Sequence, residues 1–182
     1  VTDLTNKKAQ NTAVVAMFCA IAYAVMYLSK LIPINIAGFL SLDFKDIVIV
    51  LCGFVMGPLS ALAVTVVVSL LEMLTVSING PVGFLMNVLS TCAFACAASL
   101  VYIIFKNHRG ALWGVLLGTL CMTLTMLLWN WLITPAYLGV ERSAVEGMML
   151  TVFLPFNLIK GGVNAAGVLL VYKPVLRALD KK

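Results

Sequence analysis

Charge is what this sequence has least of. Only 10% of its 182 residues are Asp, Glu, Lys or Arg, against the roughly 25% of an ordinary soluble domain. Twelve basic and seven acidic side chains cannot cover a globule of this length, so a water-soluble fold is excluded. No G-x-x-x-x-G-K-[ST] loop is present to cradle phosphates, so an ATP-driven step would need an ATPase on another chain. Histidine occurs once, at position 108, in a polar loop where it reads as solvated. Neither H-E-x-x-H nor G-x-S-x-G occurs, so the sequence does not read as an intramembrane enzyme. The five cysteines, at 19, 52, 92, 96 and 121, all sit inside apolar runs without C-x-x-C spacing. Cys92 and Cys96 are one helical turn apart but lack further ligands, so all five read as packing residues.

What is abundant is apolar surface, 63% of the residues. The runs fall at about 11–32, 44–56, 59–78, 83–105, 111–133 and 148–172, and a membrane-crossing helix needs about 20 residues. The expectation is an all-α integral membrane protein, one transmembrane domain over 1–182 with six helices in a compact bundle. The first run is longer and more apolar than a signal peptide's core, so it reads as a retained span. The 44–56 run is short for a full crossing unless neighbours bury it, and Asp43 stands where it would cap the helix start. Gly57-Pro58, Asn79-Gly80-Pro81 and Thr134-Pro135 read as helix breaks. A loop holding Glu141, Arg142 and Glu146 leads to the sixth run, with Pro174 beyond it.

The basic residues set the topology. With the amino terminus inside, cytoplasmic segments hold Lys7, Lys8, Lys106, Arg109, Lys173, Arg177, Lys181 and Lys182, against Lys30, Lys45 and Arg142 outside. This bias places both termini in the cytoplasm. It also accounts for the net charge of +5 without invoking nucleic acid.

Lys160 belongs to neither group, because it lies within the sixth span. An ionisable side chain there costs about 2.5–3.5 kcal/mol on insertion scales, so it marks a candidate site; the other reading is a lysine that snorkels to the headgroups. Asn157 and Asn164, three residues before and four after, share its helical face. Either asparagine also suits hydrogen bonding between helices. Topology puts Asn130, Asn87, Glu72 and Asn157 in the outer half of the membrane, while the inner half is almost purely apolar. That asymmetry suits capture of a solute from outside. Asn supplies donor and acceptor and Lys supplies donors and charge, which fits a flat or amphipathic ligand with several carbonyl or imide groups. Phe156 and Tyr137 offer apolar or stacking surface, and Trp129 and Trp131 read as interfacial belt residues.

Small residues recur at Ala16, Ala20 and Ala24, a stripe that lets another helix approach closely, either within the bundle or from a partner. Gly53/Gly57 and Gly114/Gly118 are similar pairs that suit internal packing.

Taken in order along the chain, these features resemble the S-components of energy-coupling factor (ECF) transporters, within them the riboflavin-specific type. The resemblance is carried by Phe39-Leu40-Ser41-Leu42-Asp43-Phe44-Lys45-Asp46-Ile47, by Gly53 to Pro58, by Asn130, by Leu154-Pro155-Phe156-Asn157-Leu158-Ile159-Lys160 and by the alanine stripe. It implies a vitamin-capture subunit in the plasma membrane of a prokaryote. The implied ligand is riboflavin, with FMN as a second candidate, carried as cargo with no cofactor. An extracellular lid around Gly38 to Leu42 would bring Phe39 and Leu40 to the ligand. Asn130, Asn157 and Lys160 would bond the polar edge of the flavin ring, with Asn87 nearby. Ala16, Ala20 and Ala24 would meet a transmembrane coupling protein that works with two ATP-binding cassette ATPases. Ser41 and Val48 stand where the resemblance calls for a basic residue and a proline. An S-component for another vitamin and a small self-sufficient secondary transporter remain alternatives, although the latter normally shows internal repeats that are not found here.

Overall fold

The computed structural model describes residues 2–31, 35–36 and 40–180, and side chains at 10–31 and 40–178. The chain begins with α1 (Thr2–Leu31), followed by a two-residue antiparallel pairing of β1 (Asn35–Ile36) with β2 (Leu40–Ser41). Then come α2 (Lys45–Met56), α3 (Pro58–Thr75), α4 (Gly80–Phe105) and α5 (His108–Leu138). A seven-residue α6 (Arg142–Met148) and a π-helical turn over Met149–Phe153 lead into α7 (Leu154–Asp180). Among the described residues, five segments are long and apolar enough to cross a membrane: Gln10–Leu31, Pro58–Thr75, Gly80–Phe105, His108–Leu138 and Arg142–Ala178.

α2 is different. Its 12 residues rise only about 18 Å, short of a hydrocarbon core of about 30 Å. Nine of them are buried, and α1, α3, α4 and α7 surround it. Asp43 does not cap this helix. The cap position is Phe44, without a side-chain cap, and the Phe44 N–H donates to Ser29 Oγ on α1 at 3.3 Å.

Several helix ends differ from what the prolines suggest. Pro81 sits in the first turn of α4, where a missing N–H costs nothing. α5 passes through Pro135 and stops at Gly139, whose φ of 66° is the left-handed conformation glycine adopts most readily; Val140 N–H then closes on the Pro135 carbonyl at 3.1 Å. Residues 142–148, expected as loop, form α6, and α7 continues through Pro174. The π-helical turn ends just before Pro155, whose ring cannot accept the ordinary backbone geometry four residues upstream; a widened turn accommodates it.

The core joins α2 to the longer helices through Ile49, Phe54, Val64, Val68, Phe94, Val115 and Met122. α4 and α5 touch backbone to backbone: a Cβ on Gly114 or Gly118 would lie 2.6 Å from the Ala98 or Phe94 carbonyl oxygen. These glycines therefore serve internal packing. A smaller apolar cluster seats Leu40 of β2 among Val145, Phe153 and Phe156. Leucines face outward along the long helices, among them Leu62 and Leu70 on α3 and Leu116, Leu120, Leu124 and Leu128 on α5, as a lipid-facing surface requires.

Aromatic side chains close the end of the bundle away from the β1–β2 hairpin. Phe54 stacks on Tyr102 at 4.1 Å, and His108 stacks on Tyr172 with a 2.6 Å hydrogen bond between Nδ1 and the hydroxyl. His108 is therefore not simply a solvated loop residue. At the opposite end Trp131 holds α6, its Nε1–H donating to Glu146 Oε1 at 3.1 Å while the Arg142 guanidinium lies 4.6 Å from its ring centre.

Candidate functional site

The first turns of α7 set the site. With 3.6 residues per turn, Asn157, Lys160 and Asn164 point the same way, and all three are buried, Lys160 with only 5% of its surface exposed. Lys160 does not snorkel. Its Nζ lies 3.3 Å from Asp43 Oδ2 and 3.8 Å from Asp46 Oδ2. Asn164 Nδ2 donates to the backbone oxygens of Asp43, at 3.1 Å, and Lys160, at 3.0 Å, so this residue ties the loop before α2 to α7.

The partners of Lys160 belong to a larger cluster. Lys45, fully buried, donates to Glu72 Oε2 at 2.8 Å, Asp43 Oδ2 at 3.1 Å and Asn87 Oδ1 at 3.3 Å. Lys30 approaches the other oxygen of Glu72 at 3.3 Å and donates to Ser41 Oγ in β2 at 2.7 Å. Thr91 donates to Asp46 Oδ1 at 2.7 Å. Three lysines thus face three carboxylates, the arrangement that makes buried charge tolerable. Burial alone would raise the Asp43 carboxyl, but the ammonium groups of Lys160 and Lys45 outweigh it and hold the group below the usual carboxylate range.

A cavity of about 240 Å³ lies beside this cluster, at the bundle end that carries the β1–β2 hairpin and the α3–α4 turn. Lys30, Glu72, Asn87, Asn157 and Lys160 give it polar walls, and Leu40, Met86, Met126 and Phe156 give it apolar ones. Asn157 turns Nδ2 to the Phe153 carbonyl at 2.8 Å, which leaves Oδ1 as the acceptor it offers.

Of the residues singled out in the sequence, Leu40, Asn87, Asn157 and Lys160 line this cavity. Asn130 is buried behind it. Its Nδ2 donates to the Met126 carbonyl at 2.7 Å and its Oδ1 accepts from Thr134 at 2.8 Å, while Met126 itself faces the cavity. Phe39 and Gly38 lie outside the described residues. Tyr137 is not in the wall; its hydroxyl bonds Asn79 Oδ1 at 3.1 Å. Ala16, Ala20 and Ala24 are exposed along one side of α1, opposite buried Phe18, Ala22 and Met26.

Sequence reasoning places Lys30 and Lys45 among the outer charges but misses that Lys45 and Asp46 are wholly enclosed and that Lys30 is part of the cavity wall. The available signal was a run too short to cross that begins with two charges of opposite sign. Such a segment has to be enclosed by others, together with its charges.

A helical membrane bundle with a solute-sized pocket at one end is the architecture of a protein that takes up a small solute at a membrane. A family model described as "ECF transporter, substrate-specific component" matches residues 10–172, and the chain belongs to that family. It is 30% identical over 163 residues to the riboflavin transporter FmnP of Bacillus subtilis (strain 168), which covers 85% of each chain. It is 28% identical over 176 residues to the riboflavin transporter RibU of Staphylococcus aureus (strain TCH60), covering 92% of this chain and 90% of that one. A solved structure of the S component of a bacterial ECF transporter superposes with a TM-score of 0.80 at 27% identity, over 94% of this chain and 98% of the other.

Proposed function

We propose that this chain is the riboflavin-binding S-component of an ECF importer. It is a single transmembrane domain of a prokaryotic plasma membrane that captures the vitamin outside and delivers it inward. The observation that carries the reading is the cavity itself. Asn157 and Lys160 supply hydrogen-bonding groups for a ring edge rich in carbonyl and imide groups, and Phe156, Met86 and Met126 supply apolar surface for a flat ring. Two riboflavin transporters among the chain's relatives support the same ligand.

Orientation follows from the bundle's two ends. The cavity lies at the end opposite the α4–α5 junction, which carries Lys106 and, in the first turn of α5, Arg109, and opposite the C-terminal end of α7, which carries Lys173 and Arg177. By the positive-inside rule these basic segments are cytoplasmic, both termini lie inside, and the cavity faces out. Removing Lys45 from the outer loops sharpens the bias. Delivery requires a transmembrane coupling protein and two ATP-binding cassette ATPases, and the exposed Ala16, Ala20 and Ala24 supply a close-approach surface for the coupling protein.

The test is titration of riboflavin into the purified chain, read by quenching of flavin fluorescence. Saturation at one ligand per chain is expected. Absence of quenching alongside tight binding of thiamine or biotin would overturn the ligand while leaving the family intact.

A further inference from the structure

Lys45 is not part of the cavity wall, yet it touches two residues that are. Its ammonium carries three protons, and three acceptors surround it: Glu72 Oε2, Asp43 Oδ2 and Asn87 Oδ1. An ammonium can only donate. The Asn87 amide must therefore turn its oxygen to Lys45, at 3.3 Å, and the NH2 group is what remains for the cavity that Asn87 lines. An asparagine without such a neighbour can rotate by half a turn and offer either group.

Lys45 is itself well fixed. Its stem is enclosed at the start of α2, and Glu72 cannot follow it freely, because the other carboxylate oxygen is held 3.3 Å from Lys30. The order of the chain's own contacts thus runs from Lys45 to Asn87 to the cavity, with no direct contact needed between Lys45 and a bound molecule.

We propose that Lys45 is a positioning residue that sets ligand selection: it locks the Asn87 amide with its donors toward the cavity, so that this wall reads acceptor atoms on the ligand. The inference rests on the riboflavin-binding function proposed above and adds to it the polarity of one wall. The ammonium acts through Asn87, and its loss matters only while Asn87 is there to misorient.

That dependence supplies the test. Removing Lys45 alone leaves carboxylates unbalanced, so the comparison is made in a D46N background, where the K45M substitution leaves Lys30 and Lys160 facing Asp43 and Glu72. Riboflavin is titrated into four forms of the purified full chain: D46N, D46N/K45M, D46N/N87A and D46N/K45M/N87A, with thermal unfolding of each recorded alongside. K45M is expected to weaken binding about tenfold when Asn87 is present and less than about twofold in the N87A background, the signature of two residues acting as a unit. Equal losses in both backgrounds, or no loss with Asn87 in place, would overturn the assignment, since a merely structural lysine lowers affinity alike in both. If the methionine forms do not fold, K45L, which likewise has no donor for Asn87, replaces K45M in the same cycle and is judged by the same outcomes. A folded wild-type chain that binds no riboflavin overturns the proposed function instead, which keeps the two failures apart.

Discussion

Lys160 on α7 and Asp43 in the loop before α2 are 117 positions apart in sequence and meet at 3.3 Å in the interior of the bundle. The contact joins the last helix of the chain to the segment that follows the first. It also changes what Lys160 does: the residue that faces the cavity is at the same time the counter-ion of buried Asp43 and Asp46.

Replacing Lys160 by alanine is therefore expected to affect both binding and folding. Lys160→Ala should weaken riboflavin binding and lower stability by about 3–5 kcal/mol, because it leaves buried carboxylates uncompensated. K160A/D43N should recover part of the stability but not the affinity. Thermal unfolding in detergent checks this, and an unchanged midpoint for K160A would count against the buried pair.

The β2 side of the cavity makes a separate prediction. Leu40 is buried against Val145, Phe153 and Phe156, so Leu40→Ala removes apolar contact that holds β2 to the segment before α7. At about 2–5 kcal/mol for a core leucine truncation, riboflavin release should quicken by about tenfold or more. Stopped-flow displacement measures the rate, and an unaltered rate would separate Leu40 from ligand retention.

Close helix contact is the third. A side chain on Gly118 would run into the Phe94 carbonyl oxygen at 2.6 Å, so Gly118→Leu must push α5 from α4. A loss of about 1–3 kcal/mol or failure to fold is expected, whereas the outward-facing Leu124→Ala should change stability by less than about 1 kcal/mol in detergent.

The exposed stripe of α1 gives the fourth. Ala20→Trp adds bulk on the side of α1 turned away from Phe18 and Ala22, so riboflavin titration should match wild type. Copurification of the coupling protein and ATPases, and riboflavin uptake by cells, should fall sharply. Normal uptake would remove this surface from the coupling-protein interface.

Periodicity and hydropathy were enough to read the long helices, because each crosses the bilayer with its own apolar run. They also found the α7 face, since Asn157, Lys160 and Asn164 stand out against an apolar background. The ends of α5 and α7 were not legible, because Pro135 and Pro174 resemble stop signals and only the surrounding backbone shows that the helix absorbs them. Lys45 was hidden for a different reason. A lysine next to a short apolar run looks like any loop charge, and only the positions of Asp43, Glu72 and Asn87, contributed by a loop and two other helices, show that it is enclosed. Asn130 is placed by its own helix: its Nδ2 donates to the Met126 carbonyl one turn earlier and its Oδ1 accepts from Thr134 one turn later, and each group keeps a further hydrogen-bonding site.

The short α2 also bears on how the protein is made. Lys45 and Asp46 at its start would each cost about 2.5–3.5 kcal/mol at the centre of a bilayer, more than twelve residues can repay alone. Glu72, which balances Lys45, arrives with α3, but Lys160 is synthesised with the final helix. The charges at the start of α2 are therefore fully balanced only once α7 has joined the bundle. A bundle without α7 leaves Asp46 without the Lys160 ammonium, so the last helix completes the surroundings of the second.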